Sequence, residues 1–82
     1  MTLEMLNQKI DNAILDGAEK ANAMPKTNIL NAEYALGKVY ALLDLIAEIY
    51  GAESVMESLD RTLDARLALR ERAEGLMTYT ID

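Results

Sequence analysis

The chain has 82 residues with a formal net charge of −6, and its 51% hydrophobic content is typical of a folded protein and not of a disordered one. It contains no cysteine and no histidine, which excludes disulfides and leaves the common zinc sites without ligands. The length allows a single helical domain, 1–82, with a thin core, so that self-association or a partner is the available source of added stability.

The amino terminus predicts no secretory signal, because no basic segment precedes an apolar run there, and a cytoplasmic location is therefore expected. The most apolar stretch, 29–50, is long enough to suggest a membrane helix. Its charged residues are Glu33, Lys38, Asp44 and Glu48. Because each charge near the bilayer centre costs about 2.5–3.5 kcal/mol, we expect no membrane span.

The first predicted helix covers about 3–21, with Thr2 as its N-cap. Its apolar face recurs at helical spacing and comprises Leu3, Leu6, Ile10, Ala13 with Ile14, Gly17 and Ala21. The small residues on this face repeat every four positions, which predicts a close approach to the second helix. The segment 24–28 then interrupts the pattern, because Pro25 disfavours helix at the residue before it.

The second predicted helix covers about 28–50 and is expected to be central. Its main apolar seam alternates spacings of four and three and comprises Ala32, Leu36, Val39, Leu43, Ile46 and Tyr50. Gly51 is a natural C-terminal stop for this helix. The simplest fold is an all-α, three-helix antiparallel bundle, and a helical hairpin that pairs as a dimer is the alternative.

The third predicted helix covers about 54–74, opened by a capping box of Ser54 and Glu57 and ended by Gly75. The residues after Gly75 are expected to form a short docked or frayed tail. A heptad predicts the face of this helix that packs in the core: Met56, Leu59, Leu63, Arg66, Arg70, Ala73 and Met77.

Two arginines thus occupy predicted core positions. Arg66 and Arg70 could extend their guanidinium groups to solvent at the open end of the bundle, or pair with an internal acid such as Glu48. Alternatively, they could anchor a partner, since arginine is enriched among the residues that dominate interface energetics. The sequence leaves these alternatives open.

Chemistry-bearing motifs are absent, so the sequence predicts no enzyme, no metal site and no cofactor. Ser54 and Ser58 lack a residue suited to activate them, and acidic pairs such as Glu53 with Glu57 are typical of a solvated surface. A calcium loop over 11–17 would place apolar side chains where oxygen ligands are needed. Carboxylate di-metal bundles require Glu-x-x-His elements, which cannot occur without histidine.

Direct nucleic-acid binding is also not expected. Ala47 and Gly51 have the spacing found at the turn of a helix-turn-helix motif, but the following helix begins with acidic residues, Glu53, Glu57 and Asp60. These residues would face phosphates with the wrong sign of charge.

The second helix has more apolar residues than one packing stripe needs. A second stripe includes Tyr34, Leu45 and Ile49, together with Ala41 and Leu42. Either this helix is covered on two sides by its neighbours, or one stripe docks another chain.

The sequence therefore predicts a small acidic interaction module, expected as a homodimer, that binds a protein partner and modulates or inhibits it. Such composition is typical of proteins that phages and mobile elements use to block host nucleic-acid-handling enzymes or defence complexes. The alternatives are a structural subunit of a helical complex and a dimeric nucleic-acid-associated regulator. The candidate partner-binding residues are Tyr34, Leu45, Ile49, Arg66, Arg70, Glu53, Glu57 and Asp60.

Overall fold

A computed structural model of the chain describes the backbone of residues 1–23 and 28–81, and the side-chain environments of residues 1–20 and 31–73. The described residues form three helices, α1 (Leu3–Ala23), α2 (Asn28–Tyr50) and α3 (Ala52–Ile81). They pack into a rod-shaped bundle of 43 × 19 × 17 Å. The predicted all-α three-helix bundle is confirmed. No helix in the described part of the chain is both long and apolar enough to span a membrane.

The ends of α1 and α2 follow local chemistry. The backbone N–H of Met5 donates to Thr2 Oγ1 at 3.1 Å, so Thr2 caps α1 as predicted. Gly51 has a φ of 93°, which residues with a Cβ rarely adopt, and it ends α2 as predicted. The expected turn at 24–27 lies outside the described residues.

The boundaries of α3 differ from those predicted at both ends. The helix begins at Ala52, so Ser54 lies within its first turn and the predicted capping box with Glu57 is wrong. The chain reverses at Gly51 alone, and the carbonyl of Gly51 already accepts from the N–H of Val55 at 3.3 Å. Gly75 does not end the helix, which continues to Ile81 in place of the expected tail. A glycine inside a helix costs only about 1 kcal/mol, which is too little to stop a helix by itself.

The helix α2 is central, because it contributes to both clusters of buried residues. The larger cluster joins α1 to α2 and comprises Leu6, Ile10, Ala13, Val39, Leu43 and Ile46. The smaller cluster joins α2 to α3 and comprises Ala32, Ala35, Leu69 and Ala73. Leu42 and Leu45 of the second stripe pack against the larger cluster, so part of that stripe supports the core.

The face of α3 that packs inward matches the predicted heptad only in part: Ala73 is buried and Leu59 packs against the larger cluster, but two other apolar members are exposed. Met56 and Leu63 are 60% and 46% exposed, whereas Ser58 and Thr62 are buried. The hydroxyl groups can be buried because each has a hydrogen bond: Ser58 Oγ donates to Asn7 Oδ1 at 2.6 Å, and Thr62 Oγ1 donates to the Ser58 carbonyl at 2.8 Å. Satisfied polar groups are thus buried in the first half of α3, whereas Met56 and Leu63 of the expected seam are exposed.

Candidate protein-binding surface

An open groove of about 630 Å³ runs between α1 and α2. Its apolar lining residues are Met1, Ala13, Gly17, Tyr34, Ala35, Ala41, Leu42 and Leu45. Its polar and charged lining residues are Lys9, Asn12, Asp16, Lys20, Asn31 and Lys38. On α2 the lining extends from Asn31 to Leu45, which corresponds to roughly 21 Å at 1.5 Å per residue. We call this feature the α1–α2 groove.

Small residues explain why the α1–α2 groove is concave. Gly17 has no side chain, and a Cβ placed there would collide with the Cβ of Ala35, so the two backbones approach closely at this point. Ala13 and Ala41 add only methyl groups to the lining. Close backbones with short side chains leave a depression between the two helices.

The charge along the α1–α2 groove is opposite to that of the whole protein. Three of the four lysines, Lys9, Lys20 and Lys38, line it, although the net charge of the chain is −6. Lys20 Nζ lies 3.2 Å from Asp16 Oδ2 in an exposed ion pair. Lys38 Nζ lies 6.0 Å from the centre of the Tyr34 ring. The groove therefore combines an apolar floor with a basic rim.

The α1–α2 groove contains part of the stripe predicted on the second helix. Tyr34, which is 71% exposed, and the half-buried Leu45 both line it. Ile49 is 54% exposed but is not among the lining residues. Sequence reasoning missed the contribution of α1. A signal was present, because Lys9 and Lys20 are eleven residues apart, close to three full turns, and so share one face of α1.

The two arginines of the predicted heptad converge on one phenol of α2. Arg66 Nη1 and Arg70 Nη2 donate to Tyr40 Oη at 3.4 and 3.3 Å. Arg66 also donates to Thr62 Oγ1 at 3.1 Å and to the Leu59 carbonyl at 2.6 Å. Arg66 is thus held by hydroxyl and carbonyl oxygens in the α2–α3 interface, whereas Arg70 is exposed. Among the described side chains, neither arginine forms an ion pair with a carboxylate, Glu48 included.

The hydrogen bond from Arg66 lowers the pKa of the Tyr40 phenol below its usual range, because this bond stabilises the phenolate. Burial of the phenol raises its pKa and so opposes this effect, whereas the positive charges of Arg66 and Arg70 lower the pKa further.

We therefore expect Arg66→Met to raise the pKa of Tyr40. The measurement is the pH titration of tyrosinate ultraviolet absorbance, with the Tyr40→Phe titration subtracted to isolate this phenol.

Arg70→Met is the matched control and should produce a smaller shift, since its hydrogen bond to Tyr40 contributes least to the lowered pKa. The stabilisation linked to Tyr40 is present above the pKa of the unfolded chain and is lost as the pH falls through the lowered folded pKa. An unchanged pKa in Arg66→Met would contradict the assignment.

The predicted acidic residues lie apart from the α1–α2 groove. Glu53, Glu57 and Asp60 are exposed on the first half of α3. Nearby, Arg61 joins α3 to α1 through an ion pair with Asp11 at 2.6 Å and a hydrogen bond to Asn7 at 3.2 Å. Helical periodicity alone does not identify Arg61 as a contact between helices.

Neither the described acidic side chains nor similarity to known proteins assigns a function to these surfaces. Within the described part of the chain, no three acidic side chains are grouped so that they could hold a metal ion. Comparisons with protein families, with curated proteins and with solved structures find no match to this chain. The function of this chain is therefore inferred from the surfaces described above.

Proposed function

We propose that this protein is a small binding module that holds an acidic, amphipathic helix of a protein partner in the α1–α2 groove. The observation that carries the proposal is the placement of three lysines around an apolar floor in an otherwise acidic protein. Amphipathic helices are commonly recognised in this way, with apolar side chains at positions i, i+3, i+4 and i+7 in a groove between helices.

The dimensions of the groove suit such a helix. A length of roughly 21 Å accommodates about 14 helical residues, or four turns. One or two large apolar side chains of the partner would cover Ala41 and Leu42, while its acidic side chains would face Lys9 and Lys38. Each buried large side chain contributes about 1.5–3 kcal/mol, and an exposed ion pair only about 0.2–1 kcal/mol. The floor would thus supply the affinity, and the lysines the orientation and the association rate.

In this proposal the protein works in the cytoplasm as a homodimer and modulates its partner by covering a helix that the partner needs for its own activity. This is the inhibitory role expected from the composition. If the partner helix instead bound permanently and completed a fixed assembly, the protein would be a structural subunit of that assembly. Salt separates the two roles, since an electrostatically guided inhibitor should bind more weakly at high ionic strength.

The proposal predicts which peptides the groove selects. A display library of 18-residue amphipathic helices, with polar positions drawn equally from Glu, Lys and Gln, is selected on the purified protein. We expect the enriched peptides to be acidic and to lose affinity when salt is raised. Enrichment of basic peptides, or of none, would contradict the proposed function.

Matched variants assign the binding to the groove. Ala41 and Ala47 are both exposed alanines of α2, but only Ala41 lines the groove. Ala41→Glu should weaken binding of the enriched peptides about tenfold or more, corresponding to about 1.4 kcal/mol, because it blocks the floor and adds negative charge. Ala47→Glu should leave the affinity unchanged. Equal effects of the two substitutions would place the peptides outside the groove.

A further inference from the structure

A second apolar surface lies on α3, away from the α1–α2 groove. Met56, Leu63 and Leu67 are 60%, 46% and 49% exposed. At 100° per residue they fall within about 40° of one another on the helix. The buried residues Ser58 and Leu69 project from the opposite side. We call Met56, Leu63 and Leu67 the α3 outer stripe.

The two edges of the α3 outer stripe carry opposite charge. The same helical projection places Asp60, Asp64 and Glu71 along one edge, with Glu53 and Glu57 continuing it towards the start of the helix. Arg66 and Arg70 lie along the other edge. An apolar stripe with one acidic and one basic edge can be complementary to a copy of itself.

We propose that the α3 outer stripe is the interface of the homodimer, and that the two α3 helices pack against each other in parallel. In a parallel pair related by a two-fold axis along the helices, opposite edges meet, so that the acidic edge of one copy, with Asp64 and Glu71, faces the exposed Arg70 of the other. In an antiparallel pair, like edges meet, and the acidic edges would repel each other. The parallel arrangement buries the stripe and pairs its flanking charges.

This interface deepens the dimer stated in the proposed function and is independent of the groove. The α1–α2 groove is lined by Met1 and by residues of α1 and α2, whereas the stripe belongs to α3. Both surfaces can therefore be occupied at once, and each can be disrupted separately.

The first test compares two exposed leucines by analytical ultracentrifugation of the whole protein. Leu67→Asp should weaken the dimer by about tenfold or more, because it places a carboxylate on each side of the apolar contact. Leu15→Asp, at an exposed position of α1, should leave the dimer unchanged. Circular dichroism should show equal helicity in both variants, and both should retain binding of the groove-selected peptides. A monomeric parent protein at all concentrations, or equal weakening by both substitutions, would overturn the proposed interface.

The second test determines the orientation. Because the chain has no cysteine, Met56→Cys and Leu67→Cys each provide a single thiol. These positions are about 16 Å apart along the helix, so a parallel pair brings each into contact with its own copy and both variants should form disulfide-linked dimers. In an antiparallel pair at most one of them can do so. Crosslinking of only one variant, or of neither, would overturn the parallel arrangement.

Discussion

Replacing Gly17 with leucine is expected to lower the free energy of unfolding by about 3 kcal/mol, the upper part of the range for overfilling a packed site. Even a Cβ at this position would collide with the Cβ of Ala35, which is attached directly to the backbone and cannot rotate away. The helices α1 and α2 would have to separate, and this would disturb the buried residues and the groove together. Urea denaturation followed by circular dichroism measures the loss.

Gly37→Leu is the matched control. Gly37 also lies inside a helix, but no other atom lies within 4 Å of a Cβ placed there. Leucine should therefore raise stability by about 0.5–1 kcal/mol, because it favours helix more than glycine does. If the two substitutions changed stability equally, the close approach of α1 and α2 at Gly17 would be refuted.

The second large effect concerns two isoleucines three residues apart on α2. Ile46 is fully buried in the cluster that joins α1 and α2, whereas Ile49 is 54% exposed. Ile46→Ala should cost about 2–5 kcal/mol, through lost burial and the cavity left behind. Ile49→Ala should change stability by less than about 0.5 kcal/mol, as surface substitutions usually do.

Thermal and urea unfolding of both alanine variants measure this difference, with the slope of the urea dependence checking that both unfold from equally compact states. A larger loss at Ile49 than at Ile46 would mean that α2 is rotated relative to the described structure. The face of α2 assigned to the groove would then be wrong as well.

The two proposed surfaces together suggest how binding would gain strength. A parallel dimer formed through α3 carries two copies of the α1–α2 groove. A partner that displays two acidic helices at a matching distance would bind both grooves, and the second contact would form at high effective concentration. The Leu67→Asp variant should then bind a single peptide normally and such a bivalent partner more weakly.

Local chemistry was sufficient to predict where the first two helices lie and which side of α2 is buried. Thr2 caps α1 and Gly51 ends α2 as expected. In the predicted seam of α2, Val39, Leu43 and Ile46 are buried, but Tyr50 at its end is 38% exposed. These features depend on one residue or on the period of one helix. The same reasoning failed at Gly75, because a single glycine costs only about 1 kcal/mol in a helix and does not by itself end it.

The groove could be predicted only in part, because its two walls come from different helices. The sequence identified Tyr34 and Leu45 on α2, but the position of Lys9 and Lys20 opposite them depends on how α1 packs. The hydrogen bonds that Arg66 and Arg70 both donate to Tyr40 Oη likewise join residues that are distant in the chain.

The sequence by itself determined the helical class, the central position of α2 and the absence of the residues that common zinc and disulfide chemistry needs. Only the tertiary structure decided which face of α3 is buried, because periodicity allowed both an apolar heptad through Met56 and Leu63 and a face through Ser58 and Thr62. The second face is buried since Asn7 and a backbone carbonyl satisfy its hydroxyl groups. The Thr62 hydroxyl is satisfied within α3, but Asn7 reaches Ser58 only once α1 and α3 are packed together. Burial of this face leaves the apolar stripe on the opposite side of α3 exposed.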